Sequence, residues 1–292
     1  MKNSLLYILL CLTTFGCGHS KNVRFFKDTE AFDLAKAVED EDIDKIVHLV
    51  NENPRLLEIT NSKSGSNVLD LALFLENYEV FEKLLDLGAN PNFINPYSKR
   101  SILIEACKFY WKPKSYSIDL RYIKLLLKKG ANPNYAVEED FTDEKGHYQR
   151  TASPLIEASS LDLSMVKLLI KAGADPHKKL AQYQESALRS ALDKIEIANY
   201  FIDSLNVNVK EPLLIIKQED SGKILVYHIQ DFVVNEFILA KIRGDKKEIA
   251  EFKKESVGIE EANSKKWKLI QKLDSMGVDF KNYKYINPYL TE

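Results

Sequence analysis

The chain of 292 residues contains few of the residues that build metal centres and disulfide frameworks. It has three cysteines and five histidines, no histidines form an H-x-x-x-H pair, and no cysteine lies at ligand spacing from a histidine. This pattern argues against a zinc site. The G-x-S-x-G, P-loop and G-x-G-x-x-G motifs are also absent. We therefore expect a non-enzymatic protein that needs no metal or cofactor.

The chain also lacks an excess of charge of one sign. Its 41 basic and 43 acidic residues give a net charge of −2. Proteins that bind nucleic acid usually carry a strong positive charge or a recognisable motif, and neither is present here. We expect no nucleic acid among the partners.

Long apolar runs are missing as well. The apolar run at the N-terminus, Leu5–Leu12, follows a short basic start and is too short to span a bilayer stably. It has the layout of a secretory signal. Small residues then lead through Gly16 into Cys17, an ending that resembles a bacterial lipoprotein signal.

The resemblance to a lipoprotein signal implies a cellular location for the protein. Residues 1–16 would be the signal peptide, Cys17 the lipidated (palmitate-carrying) mature N-terminus, and 17–30 a polar tether. The expected location is a bacterial cell envelope facing the periplasm, and Gly18 after the cysteine favours the outer membrane. The alternative is an ordinary secreted protein with Cys17 unlipidated. In either case we expect Cys107 to be a buried thiol.

A glycine-containing tetrad recurs three times, each time after a leucine-rich stretch. Glycine at a helix end takes a left-handed conformation easily, and proline cannot continue a helix. Each tetrad therefore predicts the end of a helix. The copies are Gly88-Ala89-Asn90-Pro91, Gly130-Ala131-Asn132-Pro133 and Gly173-Ala174-Asp175-Pro176.

A second motif, Ser/Asn-x-Leu-x-x-Ala, lies upstream of each tetrad and predicts the start of a short helix. Its first residue can cap the helix, and its Leu and Ala lie on one face. The two motifs in fixed order resemble the ankyrin repeat. The resemblance implies an all-α repeat solenoid of helix-turn-helix units with finger loops. The copies are Asn67–Ala72, Ser101–Ala106, Ser153–Ala158 and Ser186–Ala191.

We expect this repeat domain to span residues 31–285, followed by a tail, 286–292. The first helices, with an acidic turn at Glu39–Asp42, are expected to form an N-terminal cap. The last clear repeat ends at Leu205-Asn206-Val207-Asn208, a degenerate tetrad. A helix pair from about Ile229 to Gly277 is expected to close the stack.

Repeat spacing indicates insertions. Gly88 and Gly130 are 42 positions apart and Gly130 and Gly173 are 43 apart, whereas an ankyrin unit has about 33 residues. The two motifs place the extra residues near 108–117 and in the finger loop near 136–150. A third extension, 213–228, contains two β-rich runs around a glycine and predicts a β-hairpin.

Insertions in repeat proteins often contact partners. The 108–117 insertion combines basic and aromatic side chains, which suit an acidic protein surface or anionic lipid headgroups. The finger insertion is acidic. The alternative is that these aromatic residues pack on their own repeat and the loops only vary in length. The partner-binding candidates are Phe109, Tyr110, Trp111, Lys112, Lys114, Tyr116, Glu138, Glu139, Asp140, Phe141 and Tyr148.

These observations predict a membrane-tethered, monomeric envelope protein that binds an unidentified protein as a non-catalytic adaptor or scaffold. One alternative is a specific inhibitor, such as an immunity protein that neutralises a periplasmic toxin or enzyme. A weaker alternative is a binder of anionic headgroups through the basic residues between Lys108 and Lys129.

Overall fold

The computed structural model describes residues 23–108, 119–143, 146–179, 185–217, 224–247, 249–250 and 259–285. This part of the chain is mostly helical, with two small antiparallel sheets. It divides into two compact units. Unit 1 comprises the described residues up to Ile102 and from 119 to Gly130, and unit 2 comprises those from Leu103 to Lys108 and from Ala131 onward.

Unit 1 is built from stacked helices. The helices are α1 (Phe32–Glu39), α2 (Ile43–Glu52), α3 (Val68–Phe74), α4 (Tyr78–Asp86), α5 (Ile102–Ala106) and α6 (Leu120–Lys128), with 3₁₀ helices at Val23–Phe26 and Pro54–Leu57. Within unit 1, α1 packs on α2 and α3 on α4, while α1 also packs on α3, α2 on α4, and α4 on α6. Helix α5 lies at the division between the units.

Unit 2 repeats this packing and adds two hairpins. The elements are β1 (Val137–Asp143), β2 (Gly146–Ala152), α7 (Pro154–Ser159), α8 (Leu163–Lys171), α9 (Ala187–Ala191), α10 (Ile195–Asp203), β3 (Leu214–Lys217), β4 (Ile224–Tyr227), α11 (Ile229–Val233), α12 (Glu236–Arg243) and α13 (Ile259–Ser275). Helix α7 packs on α8 and on α9, α9 packs on α10, α8 on α10, and α10 on α13.

Helix starts carry the expected caps. The side chain of Asn67 accepts a hydrogen bond from a backbone N–H of α3, and Ser153 and Ser186 do the same for α7 and α9. Pro154 occupies the first turn of α7, where its missing N–H costs nothing. Each cap satisfies one of the N–H groups that a helix start leaves without an intrahelical partner.

The tetrad glycines end their helices as predicted. Gly88, Gly130 and Gly173 have φ angles of 102°, 90° and 92°. Backbone N–H groups of Ala89 and Ala174 each return to a carbonyl in the last helical turn at 2.9 Å. These bonds satisfy carbonyls that the helix end would otherwise leave exposed. A Cβ at any of the three glycines would meet nothing within 4 Å, so only the backbone angle requires glycine there.

At the degenerate tetrad the left-handed residue lies one position later than expected, and the returning N–H bond reaches back six residues instead of the five seen at Ala89 and Ala174. Asn206, with φ of 52°, takes the place of the glycine. The Val207 N–H bonds the Phe201 carbonyl at 3.1 Å, and the Asn208 side chain accepts the Lys210 N–H at 3.1 Å. The expected alignment, with Leu205 at the glycine position, is therefore wrong. Asparagine tolerates the left-handed region better than leucine does.

Asparagine side chains connect consecutive helix ends within each unit. In unit 1 the Asn92 amide donates to the Gly130 carbonyl at 3.0 Å. In unit 2 the Asn134 amide donates to the Gly173 carbonyl at 2.7 Å and accepts from the Asp175 N–H at 2.8 Å. Asparagines at matching positions, Asn92 and Asn134, thus join neighbouring helix ends in each unit.

Both sheets are hairpins, whereas one was expected. The predicted hairpin at 213–228 is confirmed, with Leu214 opposite Tyr227 in an antiparallel register. The insertion at 136–150, expected as a loop, forms the longer hairpin β1–β2, with Val137 opposite Ala152. Its acidic composition concealed the strands, because Asp and Glu are depleted in sheets.

Apolar side chains fill the interior of each unit. In unit 1 the buried Tyr122 ring meets Phe81 edge-on, with centroids 5.1 Å apart. Burial raises the pKa of the Tyr122 phenol. In unit 2 the buried core includes Phe201 and Leu273. Cys107 is buried, as expected.

Candidate binding surface

Two turns in unit 1 are built around a buried asparagine. In the first, which we call finger 1 (residues 61–66), the Asn61 side-chain oxygen accepts the N–H groups of Lys63 at 3.1 Å and Ser64 at 2.8 Å. Its amide donates to the Ser66 carbonyl at 2.9 Å. One side chain therefore fixes the whole turn, as asparagine does in Asx turns.

The second turn, finger 2 (residues 93–101), repeats this geometry. The Asn95 side-chain oxygen accepts the N–H groups of Tyr97 at 2.9 Å and Ser98 at 3.1 Å. The Asn95 N–H bonds the Arg100 carbonyl at 2.9 Å. At the base of the finger, Ile94 and Ser101 form an antiparallel bridge.

The two fingers are bonded to each other. The Asn95 amide donates to the Ser64 carbonyl at 2.9 Å, and the Tyr97 hydroxyl donates to the Ser62 carbonyl at 2.9 Å. Gly65 lies at the contact, where a Cβ would come within 2.8 Å of the Asn95 side-chain oxygen. Finger 2 is therefore held in place before any partner arrives.

Finger 2 exposes two large side chains. Tyr97 is 59% exposed and Ile94 is 41% exposed, although the Tyr97 hydroxyl is already bonded. Tyrosine provides a large, stiff contact area, and it is enriched among the residues that contribute most to protein–protein binding. An immobilised, exposed tyrosine loses little conformational entropy on docking.

The predicted acidic candidates lie on the β1–β2 hairpin of unit 2. Glu138 and Glu139 are half-buried on β1, and both have interaction partners. Asp140 and Phe141 follow on β1, and Phe141 pairs with Tyr148 of β2 in the strand register. The hairpin brings these five residues onto one structural element.

The other predicted positions lie outside the residues that the structure describes. They are Cys17, Phe109, Tyr110, Trp111, Lys112, Lys114 and Tyr116.

A buried carboxylate anchors this hairpin within unit 2. Glu185 accepts the Thr151 N–H at the end of β2 at 3.2 Å and forms an ion pair with Arg189 of α9. The Arg189 guanidinium lies over the Phe232 ring, 5.2 Å from its centroid. Such a contact adds a cation–π attraction to the ion pair.

Within the described ranges, no group of three or more His, Cys, Asp or Glu side chains is placed to hold a metal ion. Over the same residues, every helix is too short or too polar to cross a membrane.

The chain was compared with known protein families and with curated proteins. No family profile and no curated sequence matches it.

The finger residues were missed at the level of sequence, although a signal for them exists. Asn61 and Asn95 each lie six positions before the first residue of a helix-start motif, Asn67 and Ser101. An asparagine at that fixed offset predicts a fixed turn. Nothing local indicates that Tyr97 is bonded across to the other finger.

Proposed function

We propose that this chain is a non-catalytic binding protein of a bacterial envelope, tethered through Cys17, that holds another protein on the fingers of an ankyrin-like stack. The proposal has three parts: the repeat architecture, the binding surface and the tether. Each has its own support and its own test.

The repeat architecture is supported by recurrence of local geometry. Capped helix starts, left-handed glycine ends and asparagine bridges return in the same order along the chain. Within each unit, first helices pack on first helices and second on second. This pattern supports a helical solenoid, in which each repeat would contact its neighbours.

The observation that carries the binding function is the fixed, exposed Tyr97 on finger 2. Tyr97 is 59% exposed while its hydroxyl is bonded to finger 1. A rigid, exposed ring supports a role as a contact for a partner, because it would lose little conformational entropy on docking.

The binding test uses substitutions on the finger and a matched control. Tyr97→Ala should weaken the affinity for a partner captured from envelopes by about 30-fold, the effect of losing a major contact residue. Tyr97→Phe keeps the ring but frees it from Ser62, and should weaken binding by about 5-fold, one neutral hydrogen bond. Met276, which is 41% exposed, provides the control Met276→Ala.

The outcomes separate the alternatives. Loss of one dominant partner in Tyr97→Ala, with Met276→Ala unaffected, supports a dedicated binder and favours the inhibitor over a general scaffold. Loss of several partners together favours the adaptor. Equal capture by all variants would remove the finger surface from the proposal.

The tether is tested separately, by the mass of the mature N-terminal peptide and by fractionation of cells. An acylated Cys17, and release of a Cys17→Ser variant from the membrane fraction, would support the envelope address. An unmodified Cys17 in a soluble fraction would favour the secreted alternative.

A further inference from the structure

Helices α10 and α13 of unit 2 form an open groove of about 930 Å³. The apolar side chains of Ile195 and Leu269 contribute to its lining, and Leu269 is buried. This volume lies within the size range of ligand-binding clefts. The groove belongs to unit 2, whereas both fingers belong to unit 1.

Lysines dominate the groove. They outnumber the two carboxylates that line it, Asp193 and Glu196. Lys272 is held by an ion pair with Asp203 and a 2.9 Å bond to Asn199. The groove keeps a positive surplus after this pairing. Its lysines are Lys194, Lys265, Lys266, Lys268 and Lys272.

The acidic turn between α1 and α2, in unit 1, has the complementary charge. Five carboxylates occur within six positions, and all five residues are exposed. The turn contains Glu41 at a φ angle of 60°, and the Asp42 side chain caps α2 by accepting the Lys45 N–H. Its backbone is therefore defined before contact. The acidic residues are Glu39, Asp40, Glu41, Asp42 and Asp44.

We propose that the acidic turn of one copy of this chain docks into the lysine-lined groove of a second copy. The two surfaces have opposite charge and differ in form, one a turn between helices and the other concave. Such a contact joins different surfaces of two copies, so it produces head-to-tail association. It does not depend on the protein partner proposed for the fingers.

A polypeptide occupant suits the groove better than a membrane does. The groove is open and concave, and the buried Leu269 contributes to its lining. A flat bilayer would not fill such a surface, whereas a short acidic segment can enter it and pair with its lysines.

The first test is sedimentation of the purified chain over a concentration series at low and high salt. The proposal predicts association that strengthens with concentration and weakens with salt, because the attraction is between exposed charges. A sedimentation coefficient independent of concentration at low salt would overturn it.

Charge reversal makes the test specific. Lys266→Glu with Lys268→Glu should weaken association at least tenfold, as should Glu39→Lys with Asp40→Lys. Lysines at positions 39 and 40 lie at the C-terminal end of α1, where positive charge suits the helix dipole, so that variant should fold. Lys124→Glu, at an exposed position of α6, is the matched control.

Mixing the two charge-reversed variants should restore association, because the unchanged acidic turn of the groove variant can dock into the unchanged lysine-lined groove of the turn variant. Failure of the mixture to associate, or equal weakening by Lys124→Glu, would contradict the contact. Circular dichroism of each variant confirms that loss of association is not loss of folding.

A carboxyl-to-amine coupling reagent locates the contact. In a mixture of unlabelled and ¹⁵N-labelled protein, the crosslinks between residues 39–44 and residues 265–272 should include products in which one peptide is labelled and the other is not. Crosslinks of that pair found only within one isotopic form would overturn docking between copies.

Discussion

The two units stabilise their protruding segments in different ways. In unit 1 the fingers are short turns, each closed by one buried asparagine, and they are bonded to each other. In unit 2 the protrusions are hairpins, held by strand pairing, and β2 is tied to a buried Glu185–Arg189 pair.

The difference shows that the length of a segment determines how its backbone is stabilised. A turn of a few residues can pair only a few of its backbone groups with each other, so a side chain supplies further hydrogen bonds. A longer segment can satisfy its backbone by pairing strands. The short form therefore depends on the side chain of one asparagine, whereas the long form depends on strand pairing and on a separate anchor.

The largest expected effect is in unit 2, at the anchor of the β1–β2 hairpin. Glu185→Ala leaves Arg189 without its carboxylate and the Thr151 N–H without its acceptor. We expect a loss of about 3 kcal/mol of stability, the low end for breaking a buried ion pair, because Arg189 is partly exposed. Urea unfolding measures it. A loss below about 1 kcal/mol would show that strand pairing alone holds the hairpin.

In unit 1 the corresponding change is Asn95→Ala. It removes the acceptor for two backbone N–H groups and the bond to Ser64. We expect a loss of about 2 kcal/mol, because three hydrogen bonds of about 0.5–1.5 kcal/mol each are lost together and water replaces part of them. Hydrogen exchange should accelerate at Tyr97 and Ser98. Unchanged exchange there would contradict the role of the asparagine.

Two glycine substitutions separate backbone strain from finger contact. Gly65→Ala and Gly88→Ala both place a side chain at positive φ, 68° and 102°. Only at Gly65 would the added Cβ meet a neighbouring finger, at 2.8 Å from Asn95. Gly65→Ala should therefore cost about 1 kcal/mol more than Gly88→Ala. Equal costs would mean that finger 2 moves aside freely.

Alkaline pH should weaken the C-terminal segment of unit 2. Burial, aided by the charges of Asp231 and Asp279, raises the pKa of Tyr285 from 10.0 to about 12. Its stabilising contribution is complete at pH values below the pKa in the unfolded chain and is lost as the pH rises through the pKa in the folded protein. We expect the free energy of unfolding to fall as the pH rises between these two pKa values, and to fall less in the Tyr285→Phe variant. A pH-independent stability across this range would contradict it.

The smallest effect is expected at the degenerate helix end. Asn206 adopts φ of 52° where the helix ends at the three tetrads have glycine. Asn206→Gly should stabilise the protein by about 0.5 kcal/mol or less, because relief of the positive φ is partly offset by the flexibility of the unfolded chain. Destabilisation on thermal unfolding would show that the Asn206 side chain contributes contacts of its own.

How much was predictable depended on the range of each interaction. The caps at Asn67, Ser153 and Ser186 and the glycine helix ends are local, so residue types at fixed spacing predicted them. The β3–β4 hairpin was predicted from apolar runs around a turn. The β1–β2 hairpin was missed because its strands are acidic.

Contacts between distant residues were beyond sequence reasoning. The Tyr97–Ser62 bond spans 35 positions and the Thr151–Glu185 bond spans 34. The residues next to Tyr97 and Glu185 in the sequence do not indicate these partners. The exposed but fixed Tyr97, on which the proposed function depends, could be recognised only in three dimensions.

Photo-crosslinking from position 97 in native envelopes tests the central claim most directly. A photoreactive phenylalanine analogue would replace Tyr97 in one variant and Met276 in a matched one. The account predicts one discrete crosslinked protein from position 97 and none from position 276. No crosslink from position 97, or the same products from both positions, would contradict finger 2 as the binding surface.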